Sequence, residues 1–285
     1  MVYKGWVVFA IVGVIRNVLR WLVSEQSFAG RSGKIAIFRT DNQKTLMGVS
    51  RNHEDQMREP QFCSPPSYQL FTRAVEMLDE SSGLLQAAVA ISMHELVDTD
   101  PNRVDRQLQS YVDRVMDRVH SCNPDALLAH LHDVFFDEEG YRGNTENYYD
   151  AHNSYLPRIL ERKMGLPIAL SLIYKILAER LGLTAYGINA PFHFMAGVEV
   201  NDQLMYIDPF HQGKMLTQME AFDWIEKLSG QQVPRRKDIF LRASHPQWIH
   251  RMLNNLENSF MRLQRPQDRA AMQELRQVLF LQTGE

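Results

Sequence analysis

The sequence predicts an α+β fold in which helices flank an antiparallel sheet. Apolar residues recur at helical spacing over residues 67–139, three strand-like runs lie within 184–210, and helical spacing returns beyond residue 218. Helices that precede and follow one block of strands are typical of the α+β class.

Composition narrows the class of protein further. The 285 residues include 31 basic and 34 acidic side chains, a formal charge of −3, which argues against a protein that mainly grips nucleic acid. Two cysteines, Cys63 and Cys122, are too few for a disulfide framework or a four-cysteine zinc site. We therefore expect a cytoplasmic protein with no cofactor and no nucleic-acid partner.

Residues 1–66 form an extension with no clear periodicity. Its uncharged run, residues 6–15, is too short for a membrane-spanning helix, which needs roughly 18 apolar residues. Three interpretations stay open: a start codon placed too early, a membrane-surface anchor, or an export signal. Any membrane association should involve only residues 5–23.

Residues 67–139 should form a layer of four helices. Asn123-Pro124 is a typical helix start, because a capping residue precedes proline at the first helical position. The next segment, 140–157, is polar and turn-rich. In it Asn153 and Ser154 are candidate helix caps, and a helix follows that should end at Gly165 in a left-handed cap.

A buried helix and a sheet form the expected core of a domain spanning residues 67–240. Residues 168–181, preceded by Pro167, are apolar nearly all round, and strands should cover 184–190, 193–200 and 203–210. Asn201-Asp202 fits a two-residue hairpin turn. Residues 245–285 should form a helical hairpin whose apolar face covers the helical layer.

The hairpin brings two chemically useful residues together. If Val200 pairs with Gln203, paired residue numbers sum to 403, which makes His193 and Asp208 diagonal neighbours on one face. A carboxylate at that distance can orient an imidazole and fix its tautomer. His211 could add a third metal ligand, but no ligand spacing supports a metal site and we expect none.

A nucleophile to accompany this dyad is missing from the expected place. The start of the buried helix offers no cysteine, and Ser171 lies a full turn inside it. Cys63 and Cys122 belong to the earlier helical region and fit no catalytic motif. We interpret both as inert thiols.

Several motifs together resemble a known family. They are Phe135-Phe136-Asp137-Glu138-Glu139-Gly140-Tyr141-Arg142-Gly143-Asn144, Asn147-Tyr148-Tyr149-Asp150, Asn153-Ser154-Tyr155-Leu156, Gly165-Leu166-Pro167-Ile168, Pro191-Phe192-His193-Phe194 and Ile207-Asp208-Pro209-Phe210. Their order and spacing are similar to the bacterial SirB-type proteins, a branch of the transglutaminase-like, papain-related superfamily with tetratricopeptide-like C-terminal helices. The resemblance is strong over residues 67–217.

The resemblance implies roles for individual positions. His193 and Asp208 match the catalytic histidine and aspartate of the superfamily, and the superfamily's cysteine would fall near Pro167. Phe192 stands where the branch usually has glycine. The residues expected to line the cleft are Asn153, Tyr155, Pro167, Phe192 and His211.

Two functions follow as hypotheses. The absent cysteine favours a degenerate transglutaminase-like module that binds another protein, of unknown identity. The retained dyad favours a hydrolase or acyl-transferase in which His193 is a general base toward water or Ser171. A dyad that opens into a pocket would support the enzyme, whereas a buried dyad without a pocket would oppose it.

Overall fold

The computed structural model describes residues 59–120 and 123–284, and the expectations for the N-terminal run and for Cys122 lie outside them. The described residues contain nine α-helices and two β-sheets, which confirms the α+β class. The helices are α1 (Pro65–Val75), α2 (Ser81–Ser92), α3 (Pro101–Met116), α4 (Pro124–His132), α5 (Leu156–Arg162), α6 (Pro167–Arg180), α7 (Gln218–Ser229), α8 (His245–Arg262) and α9 (Pro266–Thr283). The strands are β1 (Arg142–Gly143), β2 (Met164–Gly165), β3 (Thr184–Asn189), β4 (Met195–Val200), β5 (Gln203–Asp208), β6 (Lys214–Leu216) and β7 (Leu241–Ala243).

The N-terminal layer consists of α1–α4, as the periodicity predicts. Helix α4 begins where expected, because the Asn123 side chain accepts a hydrogen bond from the Asp125 amide at 2.9 Å and Pro124 occupies the first turn. A π-helical turn, Asp133–Glu138, continues α4. Gly140 follows it with a φ of +72°, a left-handed conformation that glycine adopts without steric strain.

The larger sheet is antiparallel, with strand order β6-β5-β4-β3-β7. Val200 pairs with Gln203 and Ala196 with Ile207, so the predicted register is confirmed. Asn201 and Asp202 both have positive φ, 49° and 62°, as a type I′ hairpin turn requires. The short edge strands β6 and β7 were not predicted.

Helix α6 packs against β3 and β4 on one face of this sheet. Every residue from Pro167 to Ala178 is buried, as the all-round apolar sequence predicts. Helix α7 packs against β5 and β6. There Tyr206, Phe222 and Phe240 belong to a second apolar cluster, separate from the main core.

The C-terminal pair α8 and α9 packs on the N-terminal layer, α8 against α2 and α9 against α1. Its main apolar side chains are fully buried: Ile249, Leu253, Leu256, Phe260, Leu275 and Leu279. The expectation that this chain's own helical layer covers the hairpin is therefore confirmed. Phe280 and Leu281 remain 59% and 71% exposed.

Three local expectations were wrong. The left-handed residue that ends α5 is Lys163, with φ +60°, because Gly165 instead pairs in β2 and packs against Ile159. Neither Asn153 nor Ser154 caps α5, since they lie in a 3₁₀ turn whose own cap is Asp150. The strands also fall short at the candidate site, β4 starting two residues after His193 and β5 ending at Asp208.

No helix in residues 59–120 or 123–284 combines the length and the apolar character needed to cross a membrane.

Candidate functional site

The candidate dyad lies at the end of the sheet where α6 begins. Chain direction requires this, because β3 leaves the C-terminal end of α6 and returns toward its start, where Ile188 pairs with Met195. Trp248 marks the same region by donating a hydrogen bond to the Ile168 carbonyl at 3.2 Å. The 3₁₀ turn Pro209–His211 also contacts α6. The structure thus places histidine, aspartate and helix start at one end of the core.

His193 and Asp208 are in contact, as the register predicts. Nε2 of His193 lies 2.9 Å from Oδ2 of Asp208. The histidine side chain is 7% exposed and the aspartate is fully buried. The contact is short enough for an ion pair but is not aligned as a hydrogen bond.

Asp208 is surrounded by donors. The amides of Phe210 and His211 donate to Oδ1 at 3.1 and 3.3 Å, while His211 Nδ1 and Trp224 Nε1 contact Oδ2 at 2.7 and 2.8 Å. Burial would raise the pKa of this carboxyl, but the close contact with His193 and the hydrogen bond from His211 outweigh it and hold the pKa well below its usual range. Asp208 is therefore ionised at neutral pH.

The resemblance places the superfamily's nucleophile near Pro167, which the structure shows as the buried first residue of α6. Ser171 is fully buried, and its Oγ has no hydrogen-bond partner, so no base activates it. Burial raises the pKa of the Cys63 thiol to about 11, as expected for an inert thiol. The described residues thus provide no activated nucleophile beside the dyad.

Phe192 has a backbone that normally requires glycine. Its φ is +62°, in the left-handed region where a β-carbon is strained. Its half-buried ring packs against the apolar cluster that includes Phe222 and Phe240. This backbone conformation is one that glycine adopts without strain, which is a physical reason for glycine at this position. In this chain a phenylalanine adopts it instead.

The other residues expected in the cleft divide into two groups. His211 joins the dyad through Asp208. Asn153 instead organises the loop before α6: its amide donates to the Asn147 and Tyr148 carbonyls, and its own carbonyl accepts from Leu166. The Tyr155 hydroxyl donates to Glu95 at 2.5 Å, away from any contact with the dyad.

Sequence reasoning missed two residues that hold the site. Trp224, on α7, donates to Asp208 across 16 residues of sequence. Arg251, on α8, donates to Asn189 Oδ1 and to the His193 carbonyl, the latter at 3.2 Å. Burial lowers the pKa of Arg251 to about 10. Neither residue has a motif that links it to the dyad in the sequence.

The dyad does not open into either of the best-formed cavities of the described chain. One, about 320 Å³, lies at the turn between α8 and α9 and is lined by residues such as Met261 and Arg265. The other, about 220 Å³, lies beside Lys175 and His245. The burial of His193 and Asp208 is the feature that weighs against an open catalytic cleft.

Comparison with known proteins identifies a family and bacterial relatives for this chain. Residues 102–254 match the model of the transglutaminase-like superfamily. A "UPF0162 protein" of Xylella fastidiosa is 34% identical over 197 residues, which cover 68% of this chain and 70% of that protein. One from Vibrio cholerae is 25% identical over 148 residues, 52% of this chain and 54% of the relative.

A second kind of relative is much longer. "F-box only protein 21" of Homo sapiens is 35% identical over 116 residues, which are 38% of this chain and 18% of that protein. No solved structure gives a significant match. From the extent of the family match and its bacterial relatives, the chain belongs to the transglutaminase-like superfamily, alongside the UPF0162 proteins.

Proposed function

We propose that this chain is a protein-binding or regulatory module built on a degenerate transglutaminase-like, SirB-type domain, and that it works in the cytoplasm. The observation that carries the proposal is Pro167 at the buried start of α6, where acyl transfer would need a nucleophile. The contacts of the dyad provide a physical reason for its retention without catalysis, because Asp208 joins β5, the 3₁₀ turn and α7.

The binding surface we favour is the C-terminal hairpin, which resembles a tetratricopeptide-like unit. Its buried side is used within the chain, but Met261 and Leu263 near the turn are 46% and 48% exposed, and Phe280 and Leu281 near the end are more exposed still. Exposed apolar side chains that lie together can mark an interaction surface, and Phe280 and Leu281 are adjacent near the end of α9.

The relatives support a module that operates in different contexts. A match of 197 residues forms 70% of a bacterial protein, whereas a shorter match of 116 residues forms 18% of F-box only protein 21. This recurrence is compatible with an adaptor role, although the fold alone does not define a function.

The test is affinity capture followed by identification of the partner, using paired variants. Phe280→Asp with Leu281→Asp should abolish capture. Met219→Asp, at a 62% exposed methionine on α7, is the matched control and should retain it. His193→Ala should also retain it. Capture that survives the double variant but is lost in His193→Ala would contradict the hairpin proposal.

The alternative is a hydrolase or acyl-transferase, and the 2.9 Å contact between His193 and Asp208 is the observation in its favour. Turnover of a generic ester such as p-nitrophenyl acetate separates the two functions. The binding module should hydrolyse it no faster in the wild type than in His193→Ala. A rate that falls at least about 100-fold in that variant would establish general-base catalysis.

A further inference from the structure

Three side chains with metal-binding atoms meet at the dyad. One metal-ligating atom from each of His193, Asp208 and His211 lies within 4.8 Å of the other two. Both histidines contact the same carboxylate oxygen, at 2.9 and 2.7 Å. Two imidazoles and one carboxylate are a ligand set that first-row transition metals commonly use in proteins.

Oδ2 of Asp208 has three nitrogen neighbours but only two lone pairs to accept hydrogen bonds. A carboxylate oxygen offers two lone-pair directions, and His211 and Trp224 already use Oδ2 with well-formed hydrogen bonds. Nε2 of His193 is left buried with no hydrogen bond, although it lies 2.9 Å away. Burying an unsatisfied ring nitrogen is costly, so this atom calls for another partner.

A cation placed among the three atoms resolves this conflict. The cation accepts lone pairs from both imidazole rings and from Oδ2. His193 Nε2 then has a bonding partner and no longer depends on a hydrogen bond to Oδ2. Zinc bonds of about 2.0–2.2 Å in tetrahedral geometry place ligand atoms about 3.3 Å apart. The two contacts to Oδ2 would lengthen by about half an ångström. The ligating nitrogens of the two histidines, which lie within 4.8 Å of each other, would move to the same spacing.

The surroundings of Asp208 already resemble the outer shell of a metal site. Its second oxygen is held by the amides of Phe210 and His211, and Trp224 holds Oδ2. Such hydrogen bonds orient ligating carboxylates and are worth about 10–100-fold in metal affinity. His211 is 31% exposed, which gives an ion a way in and leaves a coordination position facing solvent.

We propose that His193, Asp208 and His211 bind one divalent transition-metal ion, Zn²⁺ being the ion this donor set fits best, with a fourth position open to an external ligand. The absence of a ligand spacing in the sequence is explained by the fold: β4 and β5 bring His193 beside two residues that lie 15 and 18 positions later. The site is independent of the protein-binding function proposed above.

The experiment is titration of the full-length, metal-stripped chain with Zn²⁺ by calorimetry, with Co²⁺ as a spectroscopic probe. We expect one Zn²⁺ per chain and visible Co²⁺ absorption of the strong, four-coordinate type. His211→Ala should weaken Zn²⁺ binding at least about 100-fold, and Trp224→Phe about 10–100-fold. The folding of each variant is checked by its thermal transition without metal.

The matched control is His130→Ala. His130 Nδ1 lies 3.4 Å from Asp133 Oδ2, another histidine–aspartate pair three residues apart. This ring nitrogen is also buried without a hydrogen bond, but no third ligand joins the pair among the described residues. This variant should bind Zn²⁺ as the wild type does. Equal affinity in wild type and His211→Ala, or weak octahedral Co²⁺ absorption in the wild type, would overturn the proposal whether or not a protein partner is found.

Discussion

The left-handed backbone of Phe192 leads to a prediction about stability that compares two small side chains. Phe192→Ala and Phe192→Gly remove the same half-buried ring, so they lose nearly the same packing. They differ in the backbone, because alanine keeps the strain of φ +62° and glycine relieves it.

The size of the difference follows from two opposing terms. A β-carbon in the left-handed region costs about 1–2 kcal/mol. Glycine in turn costs about 0.4–1 kcal/mol through the greater freedom of its unfolded chain. The strain is the larger of the two, so Phe192→Gly should be more stable than Phe192→Ala by about 1 kcal/mol.

Urea unfolding of both variants measures this difference directly, provided that the denaturant slope is unchanged between them. For a chain of this size about 1 kcal/mol corresponds to a difference of about 2–4 °C in melting temperature. If the alanine variant were as stable as the glycine variant, the residue would not be strained, and the explanation for the family's glycine would fail.

Three further predictions concern the core. Leu172→Lys should unfold the chain, because it places an unpaired charge at a fully buried position and costs about 3–5 kcal/mol; an unchanged melting temperature would disprove the burial. Stability should fall as the pH drops below about 6.5, because burial lowers the folded-state pKa values of His132 and His245, helped at His245 by the Lys175 ammonium, so that the unfolded chain binds the extra protons. A flat profile of melting temperature between pH 7 and 5 would contradict this linkage. Truncation after Ser244 removes the fully buried side chains of α8 and α9 and should abolish cooperative unfolding, which calorimetry would detect.

The three central strands of the sheet and the approach of His193 to Asp208 were predictable because they depend on local rules. Strand alternation fixed which residues share a face, and Asn201-Asp202 fixed the turn, so pairing arithmetic placed His193 beside Asp208. The burial of the central helix α6 was also predictable, because its sequence has no continuous polar face. In these elements local preference and tertiary packing agree.

The rest of the site depends on contacts that the sequence does not encode locally. Trp224 reaches Asp208 from α7, a separate element later in the chain, and Arg251 reaches the His193 carbonyl from the C-terminal hairpin. The cap of α5 was wrong for a similar reason. Gly165 is needed for close packing against Ile159, so the left-handed position fell to Lys163.

The hydrogen bonds of Asp208 bear on how the retained dyad should be interpreted. A fully buried carboxylate is tolerated only when its oxygens are satisfied, and here two backbone amides, an indole and an imidazole satisfy them. Removing Asp208 would leave these donors unpaired at the junction of β5, the 3₁₀ turn and α7, with a penalty of about 1–3 kcal/mol for each buried donor. Folding alone is therefore a sufficient reason to keep the aspartate, and its presence is weak support for catalysis. The start of α6 carries more functional information. Proline is favoured at the first position of a helix, but cysteine is also compatible with it, and only the cysteine would supply a nucleophile.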